Sequence, residues 1–374
     1  MLRITKLALF ALTSLMLPLA GCSDDDEEDP TPSSTIEPLP EKLVLAHRGA
    51  SAYLPEHTIA AYTKAIELGA DVIEPDLVST KDGELVARHE NEISGTTDVA
   101  DHPEFADRNK TKTVDGKELT GWFTEDFTLA ELKTLRAKER IPEIRPANTQ
   151  HDGKYEIPTL QEVITLAQAK TKEIGRTIAI YPETKHSTYF QGIDLPLEDK
   201  LLQTLEANGY QGADAPVFIQ SFEVANLKAI REKTSMRLVQ LIGSATAQPY
   251  DFVVAGDART YGDMIKPAGL TDVASYADGL GPDKSLIIPR DADNHLTTAT
   301  TLVTDAHQAG LVVHPYTFRP ENNFLPLDFQ NGSEPAALGD GAGEITMFLE
   351  TGIDGFFTDA ADIGRSALDA YLKR

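Results

Sequence analysis

Short apolar runs alternate along the chain with longer segments in which apolar residues recur every three or four positions. The first pattern predicts buried β-strands and the second predicts amphipathic helices. The predicted strands are 43–46, 72–78, 85–88, 177–181, 217–220, 237–241, 311–314 and 355–357. The predicted helices are about 56–69, 159–172, 197–208, 223–233, 299–309 and 360–373.

This alternation of strand and helix is typical of a parallel sheet covered by helices. Eight strands between residue 43 and the C-terminus fit an α/β fold of the TIM type, a closed (β/α)8 barrel with insertions. An open, doubly wound sheet is the alternative. It is disfavoured because no Gly-x-Gly-x-x-Gly follows the first predicted strand.

Several segments depart from the simple alternation. Asp82-Gly83 separates two apolar runs and predicts a hairpin, so either 72–78 or 85–88 is a candidate extension and not a full barrel strand. Residues 276–281 are a candidate ninth strand. Residues 91–148 and 245–272 are long polar or Gly/Pro-containing insertions, and insertions of that length usually have a function such as shaping a pocket.

The first 21 residues predict a lipoprotein signal peptide. Arg3 and Lys6 precede an apolar run at 7–19, which is shorter than the ~20 residues of a membrane-spanning helix. Leu-Ala-Gly-Cys at 19–22 resembles the bacterial lipoprotein box. That resemblance implies cleavage before Cys22 and lipidation of this residue, and several acyl chains anchor a protein stably. The alternative is a plain signal peptide with an incidental cysteine.

Residues 22–42 predict a lipidated Cys22 followed by an acidic, Pro- and Ser-rich tether, because such a composition cannot bury a core. The barrel domain is then assigned to residues 43–374. Together these segments predict an exported bacterial lipoprotein that is anchored to a membrane and faces the periplasm or the cell surface.

Charge and cysteine content exclude some function classes. The 374 residues carry a formal net charge of -25, with 34 Lys and Arg against 59 Asp and Glu. This excess argues against nucleic acid as a partner, because phosphate backbones require basic residues. A single cysteine excludes an intramolecular disulfide framework.

Carboxylates stand at the carboxyl ends of two predicted strands, the end of a β/α barrel that holds the active site. Glu74 and Asp76 are two positions apart and therefore share one face of a strand, and Glu183 ends another strand. Carboxylates that face one cavity need a cation, and an all-oxygen set suits Ca²⁺ or Mg²⁺. The alternative is solvent-exposed acids at strand ends, paired with nearby bases.

Two histidines and two bases complete the candidate chemistry. His47 and His89 also stand at predicted strand ends, where two imidazoles suit general acid–base catalysis near neutral pH. Arg48 and Lys185 could bind a phosphate group. The alternative for each is an ordinary hydrogen-bonded or ion-paired structural role.

The sequence resembles the glycerophosphodiester phosphodiesterase family, and more closely its bacterial periplasmic-type branch. The match extends in order from about residue 43 to the end of the chain. The blocks that carry it include His-Arg-Gly-Ala-Ser at 47–51, Leu-Pro-Glu-His-Thr at 54–58, Glu-Pro-Asp-Leu-Val at 74–78, Tyr-Pro-Glu at 181–183, His-Pro-Tyr-Thr at 314–317 and Phe-Thr-Asp at 357–359.

This resemblance implies a phospholipase-C-like barrel that hydrolyses small-molecule glycerophosphodiesters, such as glycerophosphocholine and glycerophosphoethanolamine, to sn-glycerol 3-phosphate and an alcohol. It implies Ca²⁺, with Mg²⁺ less expected, and leaves open whether a glycerol hydroxyl or water attacks phosphorus first. The implied residues are His47 and His89 for acid–base catalysis, Glu74, Asp76 and Glu183 for the cation, and Arg48 and Lys185 for the phosphate.

One departure from the family pattern follows the second histidine. The family usually has Asp at that position, followed by Leu-Asp-Arg-Thr-Thr, whereas this chain has Glu90 and lacks the arginine. Two other functions fit the same barrel. A phospholipase acting on intact lipid needs an exposed apolar rim, and a binding lipoprotein without catalysis is expected to lack a site residue; the sequence shows neither.

Overall fold

The computed structural model describes residues 36–374. The predicted signal peptide, Cys22 and residues 23–35 of the predicted tether lie outside the described residues. In the part of the chain that is described, no helix combines the length and the hydropathy that a membrane span requires.

Strands and helices alternate through the described residues. The strands are β1 (Leu43–His47), β2 (Val72–Glu74), β3 (Asp76–Ser79), β4 (Leu85–Ala87), β5 (Lys110–Val114), β6 (Lys117–Gly121), β7 (Ala179–Ile180), β8 (Glu183–Thr184), β9 (Phe218–Ser221), β10 (Arg237–Ile242), β11 (Gly279–Pro282), β12 (Val312–Val313) and β13 (Gly355–Thr358). The α-helices are α1 (Ile59–Glu67), α2 (Leu129–Leu132), α3 (Leu160–Ile174), α4 (Ser187–Gly192), α5 (Glu198–Ala207), α6 (Val224–Arg231), α7 (Tyr250–Ala255), α8 (Tyr261–Met264), α9 (Pro267–Ala274), α10 (Leu302–Gln308), α11 (Gly341–Leu349) and α12 (Ala361–Leu372).

Eight parallel strands close into a barrel, so the predicted TIM-type (β/α)8 fold with insertions is confirmed. The order around the barrel is β1, β2 with β3, β7 with β8, β9, β10, β11, β12 and β13. β13 pairs with β1. The circle closes between β12 and β13, where the N–H groups of Asp354 and Phe357 donate to the carbonyls of Val313 and Pro315, each at 3.0 Å.

Two of the barrel strands are interrupted by a proline. Pro75 separates β2 from β3, and Pro182 lies between β7 and β8. Proline has no N–H to contribute to the ladder and is confined to edges or distortions of a sheet. The two halves of each strand therefore pair separately, with β2 bonded to β1 and β3 bonded to β8.

The set of eight barrel strands differs from the predicted set in one member. Residues 85–88 form β4, which pairs antiparallel with β3 outside the barrel, because the turn at Asp82-Gly83 leaves no room for a crossover helix. The missing barrel strand is β11, which overlaps the candidate ninth strand at 276–281. The glycines of β11 weaken the strand pattern in the sequence. The packing requires at least one of them, because a Cβ at Gly281 would lie only 2.6 Å from Leu241 Cδ2 of the neighbouring strand.

The six predicted helices are confirmed as α1, α3, α5, α6, α10 and α12. The sequence pattern does not reveal α9 or α11, which begin at Pro267 and Gly341. Segment 245–272, predicted as an insertion, contains α7, α8 and most of α9, so this prediction is wrong in part. Proline is tolerated in the first helical turn, where its missing N–H costs no hydrogen bond.

The folded unit begins at Ile36, seven residues before the boundary that the sequence suggests. The N–H of Glu37 donates to the carbonyl of Gly175 at 2.9 Å, and Leu39 packs against the apolar layer inside the barrel. The ammonium of Lys42 donates to the carbonyl of Ile353 at 2.6 Å. Residues 36–42 therefore belong to the barrel domain and not to the predicted tether.

The interior of the barrel is filled by side chains at alternate strand positions. The side chains at the other, outward-facing positions, such as Val44 and Ala46, pack in the larger core between the strands and the helices. The interior residues are Leu43, Leu45, Val72, Ala179, Tyr181, Phe218, Val239 and Phe357.

We expect the substitution Gly49→Ala to lower the free energy of unfolding by about 3 kcal/mol, from backbone strain and steric overlap together. Gly49 has a φ of +88°, and a Cβ there would lie 2.7 Å from the carbonyl carbon of Ala61. Gly83→Ala is the matched control, since Gly83 has a φ of +78° with open space around it, and should cost only about 1 kcal/mol. Urea denaturation would measure both, and equal losses would contradict the steric argument.

Candidate active site

The alternate positions that fill the barrel continue upward into a polar site at the carboxyl ends of the strands. After Leu43 and Leu45 of β1, for example, the next inward position is His47. A cavity of about 470 Å³ opens there. Its lining includes His47, Arg48, Glu74, His89, Glu183, Lys185, Gln220, Phe222 and Leu241.

The three predicted cation ligands lie together in this site. One carboxylate oxygen from each of Glu74, Asp76 and Glu183 lies within 4.8 Å of the other two. The residues are only 1%, 1% and 5% exposed, respectively. Asp76 stands directly opposite Glu183 in the β3–β8 pairing. Glu74 accepts the N–H of Arg48 at 2.9 Å and the side-chain amide of Gln220 at 3.1 Å.

Burial and mutual repulsion change the protonation of these carboxylates. Burial, with the charges of Asp76 and Glu183, raises the pKa of Glu74 well above its usual range. Burial and Asp76 raise the pKa of Glu183 to about 8, against the opposing effect of Lys185. Burial would also raise the pKa of Asp76, but Lys185 and His89 hold it well below its usual range. A cation would replace the retained protons, and three oxygen donors fit Ca²⁺ or Mg²⁺.

The two predicted acid–base histidines are each bonded through Nδ1 to a carboxylate. His47 Nδ1 lies 2.6 Å from Asp359 Oδ1, and His89 Nδ1 lies 2.5 Å from Glu90 Oε1. An ionised carboxylate only accepts hydrogen bonds, so each Nδ1 carries the hydrogen. The Nε2 atoms are then left to exchange a proton with a bound molecule.

Both imidazoles are neutral at physiological pH. Burial and the charge of Arg48 lower the pKa of His47 to about 4, against the opposing charge of Asp359. Burial, Arg48 and Lys185 lower the pKa of His89 to about 3. An anion bound beside either ring would raise these pKa values, because it favours the charged form.

The predicted phosphate-binding residues lie next to the carboxylates. Arg48 Nε is 3.2 Å from Asp76 Oδ2, and Arg48 Nη1 donates to Glu56 Oε2 at 3.2 Å. Lys185 Nζ is 2.7 Å from Glu183 Oε1 and 3.9 Å from Asp76 Oδ1. Both side chains line the cavity, so an anion inside it meets two fixed positive charges.

All the predicted site residues of the barrel domain are therefore brought together, whereas the predicted lipidation site Cys22 lies outside the described residues. The sequence does not assign His57 a role, because it does not stand at a predicted strand end. It is fully buried behind Asp76, with Nε2 2.9 Å from Asp76 Oδ2 and Nδ1 2.7 Å from the hydroxyl of Tyr62.

The arginine partners of the histidine-binding carboxylates are also not apparent from the sequence. Arg140 contacts Glu90, which lies 50 positions away, and Arg145 contacts Asp359, which lies 214 positions away. Both arginines belong to insertion 91–148. No local pattern links residues at such separations, so only the fold identifies them.

The far wall of the cavity is aromatic and basic. Lys284 and Arg290 both face Oε1 of the fully buried Glu344, at 2.6 and 3.5 Å. Aromatic side chains complete this wall and leave space beyond the carboxylates for the remainder of a small molecule. They are Phe222, Tyr316, Phe324 and Phe348.

Comparisons with known proteins identify the family of this chain. A profile of the glycerophosphoryl diester phosphodiesterase family matches residues 47–363. A glycerophosphodiester phosphodiesterase of Arabidopsis thaliana is 41% identical over 84% of this chain and 82% of its own length. One from Haemophilus influenzae is 30% identical over 96% and 98%, respectively.

A solved structure shows the same fold. The phosphodiesterase of Oleispira antarctica, described in complex with the product sn-glycerol-3-phosphate, is 21% identical with a TM-score of 0.53, over 88% of this chain and 97% of its own. Fold and sequence similarity therefore agree, and the chain belongs to the glycerophosphoryl diester phosphodiesterase family.

Proposed function

We propose that this chain hydrolyses glycerophosphodiesters such as glycerophosphocholine and glycerophosphoethanolamine to sn-glycerol 3-phosphate and an alcohol, with a divalent cation and two histidines. The observation that carries the proposal is the convergence, in a member of this family, of three buried carboxylates, two imidazoles and two bases on one cavity. Each group type has a separate task in cleaving a phosphodiester.

Glu74, Asp76 and Glu183 would hold the cation, which we propose to be Ca²⁺. Three close carboxylates offer the oxygen ligands that Ca²⁺ prefers, and the β3–β8 pairing fixes two of them directly opposite each other. When bound, the cation supplies positive charge that stabilises negative charge developing on the phosphate oxygens.

Arg48 and Lys185 would orient the phosphate within the cavity. The planar guanidinium of Arg48 can bind two oxygens at once, and the ammonium of Lys185 acts as a point charge. Arg48 has a left-handed backbone, with a φ of +64°. Its N–H donates to Glu74, and this hydrogen bond ties the position of Arg48 to the carboxylates.

His47 and His89 would move the protons of the reaction. One neutral imidazole accepts at Nε2 the proton of the attacking hydroxyl, from either a glycerol oxygen or water. The bound phosphodiester anion raises the pKa of the other imidazole, which can then protonate the oxygen of the leaving alcohol. Asp359 and Glu90 keep both rings oriented by accepting from Nδ1.

We further propose that the chain is a lipoprotein of the bacterial periplasmic-type branch, exported by the signal at 1–21 and anchored at Cys22. The support is the Leu-Ala-Gly-Cys sequence at 19–22 and the Pro-Glu-His-Thr sequence at 55–58, which fits that branch. The site would then face the periplasm or the cell surface.

The first test incubates the purified full-length chain with glycerophosphocholine and couples the product to glycerol-3-phosphate dehydrogenase. We expect release of glycerol 3-phosphate with Ca²⁺, slower release with Mg²⁺ and none with excess chelator. Release of free glycerol in place of glycerol 3-phosphate would show that the other ester bond is cleaved. No release with any cation, from a folded sample, would refute the proposed function.

Removal of either histidine should strongly lower turnover without weakening cation binding. We expect His47→Ala and His89→Ala to lower kcat by about 10²- to 10⁴-fold, because each removes a proton-transfer group. Calcium affinity, measured by titration calorimetry, should stay unchanged. His102→Ala is the control, since the ring of His102 pairs with Asp98 and Glu104 and stacks on Phe105, all within the insertion, and does not line the cavity. Full activity in either site variant would contradict the acid–base assignment.

The carboxylate cluster should make the stability of the cation-free protein depend on pH. The raised pKa of Glu183, about 8, means that between about pH 4.5 and 8 the folded state binds a proton that the unfolded state does not. The retained proton therefore contributes to the free energy of unfolding at low pH, and this contribution is lost as the pH rises from about 4.5 towards 8.

We expect the wild type in chelator to lose stability relative to Glu183→Gln as the pH rises from 5 to 8, because the variant lacks the titrating group. Thermal denaturation at several pH values would measure this difference. Ca²⁺ should raise the Tm of the wild type most at pH 8, where protons compete least. If Tm changed with pH in the same way in the two proteins, the raised pKa assigned to Glu183 would be contradicted.

A further inference from the structure

We propose that residues 139–148, here named the bracing segment, position both histidines through the carboxylates that bind their Nδ1 atoms. The inference rests on the proposed function, in which these histidines exchange protons. Arg140 acts on His89 through Glu90, and Arg145 acts on His47 through Asp359. Both arginines are positioning residues, because neither lines the main cavity.

Arg140 binds two carboxylates with its whole guanidinium. Nη1 and Nη2 lie 3.0 and 2.7 Å from the two oxygens of Glu90, and Nε and Nη2 lie 2.8 and 2.6 Å from the two oxygens of Glu56. Two-point contact of this kind fixes orientation as well as distance. Glu56 also accepts from Arg48, so one network joins the phosphate-binding arginine to the carboxylate that holds His89.

Glu90 needs this support more than an aspartate would. Its side chain has one more rotatable bond than that of Asp, the residue usual in the family, and about a third of it is exposed. A free glutamate would sample several rotamers and would carry the His89 ring with it. Binding of both Glu90 oxygens by Arg140 leaves one rotamer in which Oε1 meets His89 Nδ1.

Arg145 performs the same task deeper in the fold. Nη2 lies 2.7 Å from Asp359 Oδ2, while the other oxygen of Asp359 binds His47. Nε lies 2.6 Å from Glu321 Oε1, and Nη1 donates to the carbonyl of Ser51 at 2.9 Å. The guanidinium of Arg319 also binds Asp359 Oδ2, at 2.9 Å. Without Arg145, Asp359 would therefore still pair with one arginine, but it would lose the contact that ties it to the insertion.

The bracing segment is itself rigidly tied, which makes it a suitable support. Glu139 accepts the N–H of Ile141 at 2.9 Å and the side-chain amide of Asn148 at 2.8 Å. Asn148 donates in addition to the carbonyl of Ser51 at 3.2 Å, beside the contact from Arg145. The two arginines, five positions apart, are therefore fixed to each other and to the loop that follows β1.

The test uses the full-length chain and compares Arg140→Met, Arg145→Met and the control Arg136→Met. Arg136 lies in the same insertion, but its guanidinium contacts only the carbonyls of Lys133 and Leu135 and the carboxylate of Glu156. We expect kcat for glycerophosphocholine to fall about 10- to 100-fold in the first two variants, as for loss of residues that orient catalytic groups. KM should change by less than about threefold, and the control should match the wild type.

A second substrate separates positioning from a general loss of structure. The p-nitrophenyl ester of glycerol 3-phosphate has a leaving group that departs without a proton. The proton-donating imidazole is then not needed. The arginine variant that disturbs this imidazole should therefore have a kcat within about threefold of the wild type with this substrate. Arg140→Lys and Arg145→Lys keep one charged contact each, and we expect them to recover part of kcat and to serve if a methionine variant does not fold.

Nitrogen-15 spectra of the imidazoles give a readout that does not need turnover. In the wild type, His47 and His89 should each show a fixed Nδ1–H form, and in the matching arginine variant the signals of the affected ring should average between forms. A rise in KM with unchanged kcat, or unchanged imidazole signals in both variants, would overturn the inference. An inactive wild type with the expected spectra would refute the proposed function and leave the positioning role standing.

Discussion

The repulsion among three buried carboxylates is the interaction around which the mouth of the barrel is organised. Glu74, Asp76 and Glu183 present oxygens within 4.8 Å of one another in a setting almost free of solvent. Charges of the same sign at such distances are strongly unfavourable in a protein interior. Arg48 and Lys185 offset part of this repulsion. Burial first, and the remaining repulsion with it, raise the pKa values of Glu74 and Glu183. A doubly charged cation at this site would balance the negative charge that the two bases leave.

The barrel makes this concentration of charge possible because its strands fix the backbone on every side. Pro75 splits one strand, so that Glu74 belongs to a half bonded to β1 and Asp76 to a half bonded to β8. The two carboxylates are thus held by different neighbours, although only one residue separates them. Hydrophobic packing lower in the barrel, around Tyr181 and Phe218, supplies the stability that a cluster of like charges removes.

Much of this arrangement could be predicted from the sequence, because alternation in strands is a local property. The period of two that places Leu43 and Leu45 inside the barrel also places His47, and the same counting applies to Glu74, Asp76 and Glu183. The strand β11 was harder to predict, because glycines that its neighbours require weaken a strand signal. Contacts over long sequence separations, such as Arg145 with Asp359, cannot be predicted from one sequence, since only the closed fold creates them.

The position of β4 outside the barrel has an evolutionary consequence. His89 follows a hairpin strand, and the segment that braces it belongs to an insertion, whereas the carboxylates belong to the barrel strands. Loops and insertions accept changes in length more readily than the elements they connect. In the proposed mechanism, descendants of such a protein can therefore alter how His89 is positioned, by remodelling a surface excursion, while His47 and the three carboxylates stay on barrel strands. The two proton-transfer positions of the proposed mechanism therefore differ in how readily the chain around them can change length.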